Sequence, residues 1–231
     1  MTDTVVVSAH LDDAVLSCYS ALGPSTTVVT VFAGYPPEGT LGAWDAAGGA
    51  TDSRERVKER REEDRRALSA SRAAFVHLDL PDVQYVSTGT IERPSAEAFA
   101  ASLRERLAGA TTVLAPCALS TTRRLQRLRR RSHSDHRFVR DAVLRARPDA
   151  TLYADLPYAI HPAIGGFNLP RDLDGAGRIE RRVALDEALL TEKIAAVRCY
   201  ETQIAQLVET FGDFLTPGGL GLEVYWAPVG S

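Results

Sequence analysis

Two short polar segments of the 231-residue chain combine imidazole and carboxylate groups at close spacing. The first is His10-Leu11-Asp12-Asp13, and the second is His133-Ser134-Asp135-His136. Three of the five histidines of the chain lie in these two tetrapeptides. Imidazole nitrogens and carboxylate oxygens are ligands that Zn²⁺ and ferrous iron accept, and a catalytic site of this kind has three protein ligands with one position left for water.

His10, Asp13 and His136 would supply such a ligand set. Asp12 and Asp13 are neighbours at the start of a predicted helix, where successive side chains point about 100° apart, so one ion cannot comfortably take both. One carboxylate can bind the ion while Asp12 faces the bound water as a general base. The alternative interpretation makes Asp12 or Asp13 a helix N-cap and leaves the histidines on a helix surface.

Strands and helices alternate along the chain. Hydrophobic periodicity and turn residues predict strands at 5–7, 26–32, 74–80, 111–115, 151–155 and 222–226. The same criteria predict a loop at 40–52 and helices at 53–71, 95–107, 135–147 and 185–209. This order predicts an α/β fold of three layers, with a mostly parallel sheet between helices. Without an internal repeat or a linker, residues 1–231 are expected to form one domain.

The two polar segments follow the first and the fourth of these strands. Ligands of open α/β sheets bind beyond the carboxyl ends of the strands. The sequence therefore predicts that both segments meet at this edge of the sheet and form a metal site there.

Composition excludes several classes of protein. Hydrophobic residues make up 45% and charged residues 25% of the chain, as in ordinary globular proteins, and the net charge of −3 is too balanced for a general nucleic-acid binder. No apolar run approaches the roughly 20 residues of a membrane span. Cys18, Cys117 and Cys199 are scattered, which favours buried, reduced thiols in a cytoplasmic protein.

Six arginines crowd into the nine positions from Arg123 to Arg131. One interpretation is a solvated loop. The other is a positive field near the predicted site that grips the phosphate of an anionic substrate, since the arginine fork binds phosphate oxygens bidentately.

The two histidine segments resemble the HPDD and HPDH motifs of the PIG-L (LmbE-like) zinc-dependent N-deacetylases. Supporting similarities extend over nearly the whole chain, and they lie at 30–34, 60–64, 78–82 and 153–158 and at Lys193, Tyr200 and Gln203. The resemblance implies a Rossmann-like fold and hydrolysis of an N-acyl amide, usually the acetamide of an N-acetylglucosamine unit. The implied cofactor is Zn²⁺, with Fe²⁺ or another divalent ion as an alternative.

The resemblance also implies roles for individual residues. His10, Asp13 and His136 would hold the metal, Asp12 would be the general base, and His133 would stabilise the oxyanion or protonate the leaving amine. By the same alignment, Arg61 and Asp82 would contact the substrate, although Arg61 could equally lie on a solvated helix face and Asp82 in a turn after Pro81. Asp135, between the two histidines, would orient a ligand ring or, alternatively, cap a helix.

Three positions depart from the family pattern. Leu11 replaces the proline after the first histidine, and Ala14 replaces an acid. Arg131-Ser132 stands where a tyrosine often precedes the second motif, which leaves the polarisation of the substrate carbonyl open.

Other functions stay open on sequence alone. One alternative is a sugar-nucleotide-binding or glycosyl-transfer domain without metal chemistry, which is disfavoured because no glycine-rich phosphate fingerprint follows the first strand. A relative that binds metal without catalysis, and an amidase for larger acyl groups, are further alternatives. The expected partner is a small N-acetyl amino sugar or glycoconjugate, anionic in one interpretation, with no nucleic acid. The oligomeric state stays open, a homo-oligomer included.

Overall fold

The computed structural model describes residues 3–86, 91–118, 134–161, 166–167, 169 and 177–230. His133 and the arginine stretch 123–131 lie outside the described residues, so the predictions made for them stay predictions.

A seven-stranded sheet occupies the centre of the fold. Its strands and those of a small separate ladder are β1 (Thr4–Ser8), β2 (Thr26–Thr30), β3 (Ala74–His77), β4 (Thr112–Pro116), β5 (Thr151–Tyr153), β6 (Ile160–His161), β7 (Gly166–Phe167), β8 (Arg178–Ala184) and β9 (Leu222–Pro228). The order in the large sheet is β3-β2-β1-β4-β5-β9-β8. The first five strands pair in parallel, and β9 and β8 extend the sheet antiparallel. The mostly parallel α/β fold predicted from the sequence is therefore confirmed.

The topology reverses direction beside β1. The chain passes from β1 to β2 on one side and later reaches β4 on the other side. Such a switch point opens a crevice at the carboxyl ends of the strands. The valines of β1 are buried on both faces, which fixes the central strand firmly under this crevice.

Helices connect the strands. They are α1 (Asp13–Ser17), a 3₁₀ turn (Tyr19–Ala21), α2 (Ala43–Ala47), α3 (Ser53–Ser69), α4 (Val83–Val86), α5 (Ala96–Leu107), α6 (Ser134–Ala146), α7 (Glu187–Val197), α8 (Glu201–Phe211) and α9 (Pro217–Leu220). These helices form two groups by their contacts. In the first group α5 and α6 pack on each other, and α6 also contacts β4 and β1. The other contains α1, α3, α7 and α8, with α3 against α7 and α8. Among the helices of the described residues, none is both long enough and apolar enough to cross a membrane.

The predicted helix at 185–209 is wrong as a single element, because α7 ends at Val197 and α8 begins at Glu201. Between them Tyr200 turns inward, and its hydroxyl donates a hydrogen bond to Asp64 Oδ1 on α3 at 2.7 Å. The backbone N–H of Thr202 donates to Glu63 on the same helix at 2.8 Å. Contacts with a distant helix thus outweigh a continuous helical pattern.

The predicted loop at 40–52 also needs correction, because it contains the short helix α2. Its Asp45 is fully buried and forms an ion pair with Arg60 at 2.8 Å. The Tyr85 hydroxyl donates a hydrogen bond to the same carboxylate at 2.7 Å. A buried charge pair therefore holds a stretch whose glycines and alanines gave no helical periodicity.

A second buried charge pair joins α7 to β9, in the antiparallel part of the sheet. Lys193 Nζ donates to Glu223 Oε1 at 2.8 Å, and neither side chain is accessible to solvent. Glu223 also accepts hydrogen bonds from the backbone N–H groups of Tyr19 and Ser20 and from the hydroxyls of Ser20 and Tyr225. This arrangement anchors the 3₁₀ turn that follows α1 onto β9.

Candidate metal centre

The two polar segments meet at the carboxyl edge of the sheet. His10 and Asp13 follow β1 directly, and Asp13 is the first residue of α1. Asp135 and His136 lie in the first turn of α6, which follows β4 in the chain and packs on it. Since β1 and β4 pair in parallel, the two segments end side by side.

Three donor atoms form a compact triangle. His10 Nδ1 and His136 Nε2 are 3.2 Å apart, and Asp13 Oδ2 lies 3.6 Å from each of these nitrogens. Ligands of a tetrahedral ion bound at roughly 2.0–2.1 Å lie about 3.4 Å from one another. The spacing and chemistry of the donors therefore fit a small divalent ion such as Zn²⁺ or Fe²⁺.

Carboxylates behind both imidazoles fix their orientation. His136 Nδ1 lies 2.7 Å from Asp155 Oδ1, and His10 Nε2 lies 3.1 Å from Asp135 Oδ2. An ionised carboxylate only accepts hydrogen bonds, so each of these ring nitrogens is the donor. In a neutral ring the opposite nitrogen then carries the lone pair, and in both cases that nitrogen faces the triangle.

Arg93 holds the carboxylate behind His10. Its Nη1 donates to Asp135 Oδ1 at 2.7 Å, and its guanidinium lies over the Phe32 ring at 4.1 Å. The backbone N–H of Val83 also donates to Asp135, at 3.1 Å. Burial raises the pKa of Asp135, but the hydrogen bonds from His10 and Arg93 outweigh it, so this pKa lies well below its ordinary value.

Asp12 is placed differently from its neighbour. It stands at the N-cap position of α1, yet its side chain makes no capping hydrogen bond. Burial, together with the charge of Asp13, raises the pKa of Asp12 to about 7. Burial also raises the pKa of Asp13, but the charge of His136 and the hydrogen bonds with His10 outweigh it and lower that pKa. Adjacent carboxyl groups whose pKa values are pushed apart are typical of acid–base sites.

Both imidazoles have a raised pKa. Burial lowers the pKa of each ring, but the surrounding carboxylates outweigh it. Asp13 acts on both rings, Asp135 and Asp82 act on His10, and Asp155 acts on His136. The cluster thus favours positive charge at its centre.

The two residues predicted to contact substrate lie in different places. Asp82 Oδ2 is 3.6 Å from His10 Nε2, so Asp82 belongs to the cluster, where burial raises its pKa. Arg61 instead donates to the backbone oxygen of Ala33 at 2.8 Å and to Asp79 at 2.6 Å, with its guanidinium 4.4 Å from the centre of the Tyr35 ring. Arg61 therefore ties the chain after β2 to the segment after β3.

Arg60 is a candidate functional residue that the sequence interpretation missed. Its guanidinium is buried, and its positive charge partly offsets the rise in the pKa of Asp12. Its Nη1 forms the ion pair with Asp45, whereas its Nε and Nη2 have no hydrogen-bond partner within the described part of the chain. Helical phase could have identified it, since Arg60 shares the buried face of α3 with Val57 and Ala67, whereas Arg61 lies about 100° away.

Asp155 and Tyr158 were also not assigned to the site. Asp155 follows β5, and the ring of Tyr158 meets the His136 ring edge-on at 5.3 Å. The sequence signals for them are their position at or just after the end of a predicted strand of the same sheet and the family similarity at 153–158. His77 hydrogen bonds to Asp64 at 2.8 Å and lies outside the cluster.

Comparison of the sequence with protein families identifies one match. The sequence model of the PIG-L family, described as GlcNAc-PI de-N-acetylase, matches residues 5–147. A search of the curated proteins gives no match to this chain. The family match covers more than half of the sequence and includes both histidine segments. The chain therefore belongs to the PIG-L family, and the enzyme class predicted from the sequence, a deacetylase, is confirmed.

Solved structures agree with this assignment. A triple mutant of the deacetylase Orf2, which is involved in the teicoplanin biosynthetic pathway, is 26% identical, with 100% of both chains covered and a TM-score of 0.72. The A40926 pseudoaglycone deacetylase Dbv21 is also 26% identical, with 98% of this chain and 96% of that chain covered and a TM-score of 0.67. The zinc-inhibited form of teicoplanin deacetylase Orf2 is 24% identical over 100% of both chains, with a TM-score of 0.73, and supports the fold.

Proposed function

We propose that this PIG-L family member hydrolyses the N-acetyl amide of an N-acetylglucosamine-type sugar on a glycoconjugate, and releases acetate and a free amine. The observation that supports this most strongly is the triangle formed by His10, Asp13 and His136, with Asp12 next to it in the chain. One solved deacetylase at 26% identity is involved in the teicoplanin biosynthetic pathway, and another is the deacetylase of the A40926 pseudoaglycone, which favours a natural-product glycoconjugate as substrate. We take residues 1–231 to act as one deacetylase domain.

His10, Asp13 and His136 would hold the metal, for which we propose Zn²⁺, with Fe²⁺ or another divalent ion as the alternative. A bound divalent ion lowers the pKa of water and polarises a carbonyl oxygen. The carboxylates of Asp135 and Asp155 would keep the two rings in the tautomer that binds metal.

Asp12 would move the proton. Hydrolysis forms a bond from the oxygen of water to the acetyl carbon and breaks the bond from that carbon to nitrogen. Asp12 accepts the proton that the attacking water loses, and a pKa of about 7 suits a group that must both accept and return a proton near neutrality. His133 is proposed, from the family resemblance, to stabilise the oxyanion or to protonate the leaving amine.

Three residues are proposed to contact the sugar. Asp82 lies beside His10 and can accept hydrogen bonds from hydroxyl groups. Arg60 Nε and Nη2 have no hydrogen-bond partner among the residues that the structure describes, and the charge of Arg60 acts on Asp12. Arg60 therefore joins Arg61, the arginine proposed from the sequence. A charged donor without a protein partner is an effective site for a substrate oxygen.

Metal analysis of the purified protein, followed by an amine-release assay, tests the function. The panel contains N-acetylglucosamine, UDP-N-acetylglucosamine, a glycopeptide that carries N-acetylglucosamine, and the same glycopeptide with a longer acyl group. We expect release from the acetylated glycopeptide by wild type and none by His136→Ala. Failure of the metal-loaded protein to release amine from every acetylated compound would contradict the proposal. Preference for the longer acyl group would replace the deacetylase with an amidase.

The arginine stretch 123–131 is proposed to bind an anionic carrier of the sugar. Replacing Arg127, Arg129 and Arg130 with glutamine should raise KM for a phosphorylated substrate more than for free N-acetylglucosamine. Added salt should shrink that difference, because it screens exposed charges. Equal changes in KM for both substrates would contradict a role in anion binding. We also propose a cytoplasmic location, because the scattered positions of Cys18, Cys117 and Cys199 favour reduced thiols.

A further inference from the structure

We propose that the thiol of Cys117 is a positioning residue of the metal centre, and that it acts through Asp155 on His136. The inference rests on the proposed metal site. Cys117 follows β4 directly and is buried. The sequence did not distinguish Cys117 from an ordinary buried cysteine.

A continuous line of contacts leads from the thiol to the donor triangle. Cys117 Sγ donates to Asp155 Oδ2 at 3.3 Å, and Asp155 Oδ1 accepts from His136 Nδ1 at 2.7 Å. Asp155 and His136 are completely buried. The two oxygens of one carboxylate thus serve two donors on different elements. Rotation of this carboxylate would stretch both contacts, so the thiol opposes any rotation that releases the His136 ring.

The backbone of Cys117 is itself held firmly. Its N–H donates to the backbone oxygen of Tyr153 at 2.9 Å, which continues the pairing of β4 with β5. Its carbonyl accepts from Arg140 Nη1 on α6 at 3.3 Å. The thiol is therefore fixed to the strand that leads to Asp155 and to the helix that carries His136. Such support lets a side chain outside the ligand set tune metal affinity.

Cys18 provides a matched control. It is fully buried, and its thiol has no hydrogen bond to Asp155 among the described contacts. Replacing either cysteine with alanine removes one buried sulfur from the core. A purely structural role predicts equal effects of Cys117→Ala and Cys18→Ala on metal binding, whereas the proposed role predicts a difference.

The test measures Zn²⁺ affinity by competition with a chromophoric chelator and unfolding by urea with chelator present. We expect Cys117→Ala to weaken Zn²⁺ binding about tenfold, the lower end of the loss seen when an outer partner of a ligand is removed. Cys18→Ala should leave the Zn²⁺ affinity close to that of wild type, because no hydrogen bond of its thiol to Asp155 is found among the described contacts. In the Co²⁺-loaded protein, Cys117→Ala should shift the visible absorption bands and Cys18→Ala should not.

A double-mutant cycle checks the route through the carboxylate. If the thiol acts through Asp155, the effect of Cys117→Ala on Zn²⁺ affinity should largely vanish in an Asp155→Asn background. An undiminished tenfold effect there, or equal affinities of Cys117→Ala and Cys18→Ala, would overturn the inference. If wild type and His136→Ala both bind no Zn²⁺, the proposed function itself fails.

Discussion

Two buried charge clusters of this protein differ in how their charges are balanced. Glu223 is one carboxylate surrounded by Lys193, two backbone N–H groups and two hydroxyls. At the carboxyl edge of the sheet, five carboxylates instead share two imidazoles and the guanidinium groups of Arg60 and Arg93. These carboxylates are Asp12, Asp13, Asp82, Asp135 and Asp155.

The difference is visible in protonation. Burial lowers the pKa of Lys193, although the charge of Glu223 partly compensates. At the sheet edge, burial and a neighbouring carboxylate raise the pKa of Asp12 to about 7. A buried group whose donors match its acceptors serves the scaffold, whereas unbalanced negative charge marks a place where a cation and a proton are handled.

Removal of a metal-binding side chain should have the largest effect of the changes that distinguish the two clusters. We expect His136→Ala and His10→Ala to reduce bound metal from about one ion per chain to near zero, since each removes one of three protein ligands. The fold should persist, because a chain of this size does not depend on an ion for its core. Metal analysis after dialysis and circular dichroism measure the two effects.

His77→Ala is the matched control, because His77 is a largely buried histidine paired with Asp64 outside the cluster. Full metal occupancy in a variant that lacks both His10 and His136 would contradict the ligand assignment.

Asp12→Asn should keep the metal and lower kcat by about 10²–10⁴-fold, the usual contribution of a general acid–base group. Asparagine keeps the shape of the side chain but cannot accept a proton. Asp82→Asn should instead raise KM more than it lowers kcat, if Asp82 contacts the sugar. Steady-state kinetics with the acetylated glycopeptide separate the two, and near-normal turnover of Asp12→Asn would show that another group is the base.

Lys193→Met tests the scaffold cluster. It leaves the Glu223 charge buried without its partner, which should cost about 3–5 kcal/mol in the free energy of unfolding. Zn²⁺ affinity of the folded protein should stay unchanged. Urea unfolding measures the loss, and the double variant Lys193→Met with Glu223→Gln should recover much of it. A large drop in metal affinity would show that the two clusters are coupled.

Metal addition should produce the smallest effect. At a free ion concentration 100-fold above Kd, an ion that binds only the folded chain stabilises it by about 2.7 kcal/mol. We expect this increment in wild type and in Lys193→Met, and none in His136→Ala. Urea unfolding with Zn²⁺ and with chelator gives the comparison. An increment that persists in His136→Ala would place the stabilising ion elsewhere.

The ligand set could be predicted from sequence because chemistry and position coincide. His10, Asp13 and His136 are metal-binding residue types that stand in two short polar segments, and each segment follows a predicted strand of the same sheet. Asp155 and Cys117 lie at or just after the ends of predicted strands as well, but each stands alone outside the two histidine segments, and its partners lie on other elements. Which of Arg60 and Arg61 faces the interior depends on the orientation of α3 around its axis, and the spacing of the apolar residues in α3 indicates that orientation.

The outer part of the sheet was harder to predict. β8 carries mostly charged and half-exposed residues, as suits an edge strand, and therefore shows little hydrophobic alternation. The break between α7 and α8 contains neither glycine nor proline. It arises because Tyr200 and Thr202 bind acidic residues of α3, and such long-range contacts leave no local sequence signal.

The separation of the donors along the chain has a kinetic consequence. His10 and His136 are 126 residues apart, and they meet beside the paired strands β1 and β4. Closing such a long loop costs conformational entropy, so we expect this contact to form late in folding. An ion bound there should leave the refolding rate almost unchanged and slow unfolding, because it stabilises an interaction that is absent from the transition state. The metal would then stabilise the folded chain kinetically, by lengthening its lifetime before unfolding.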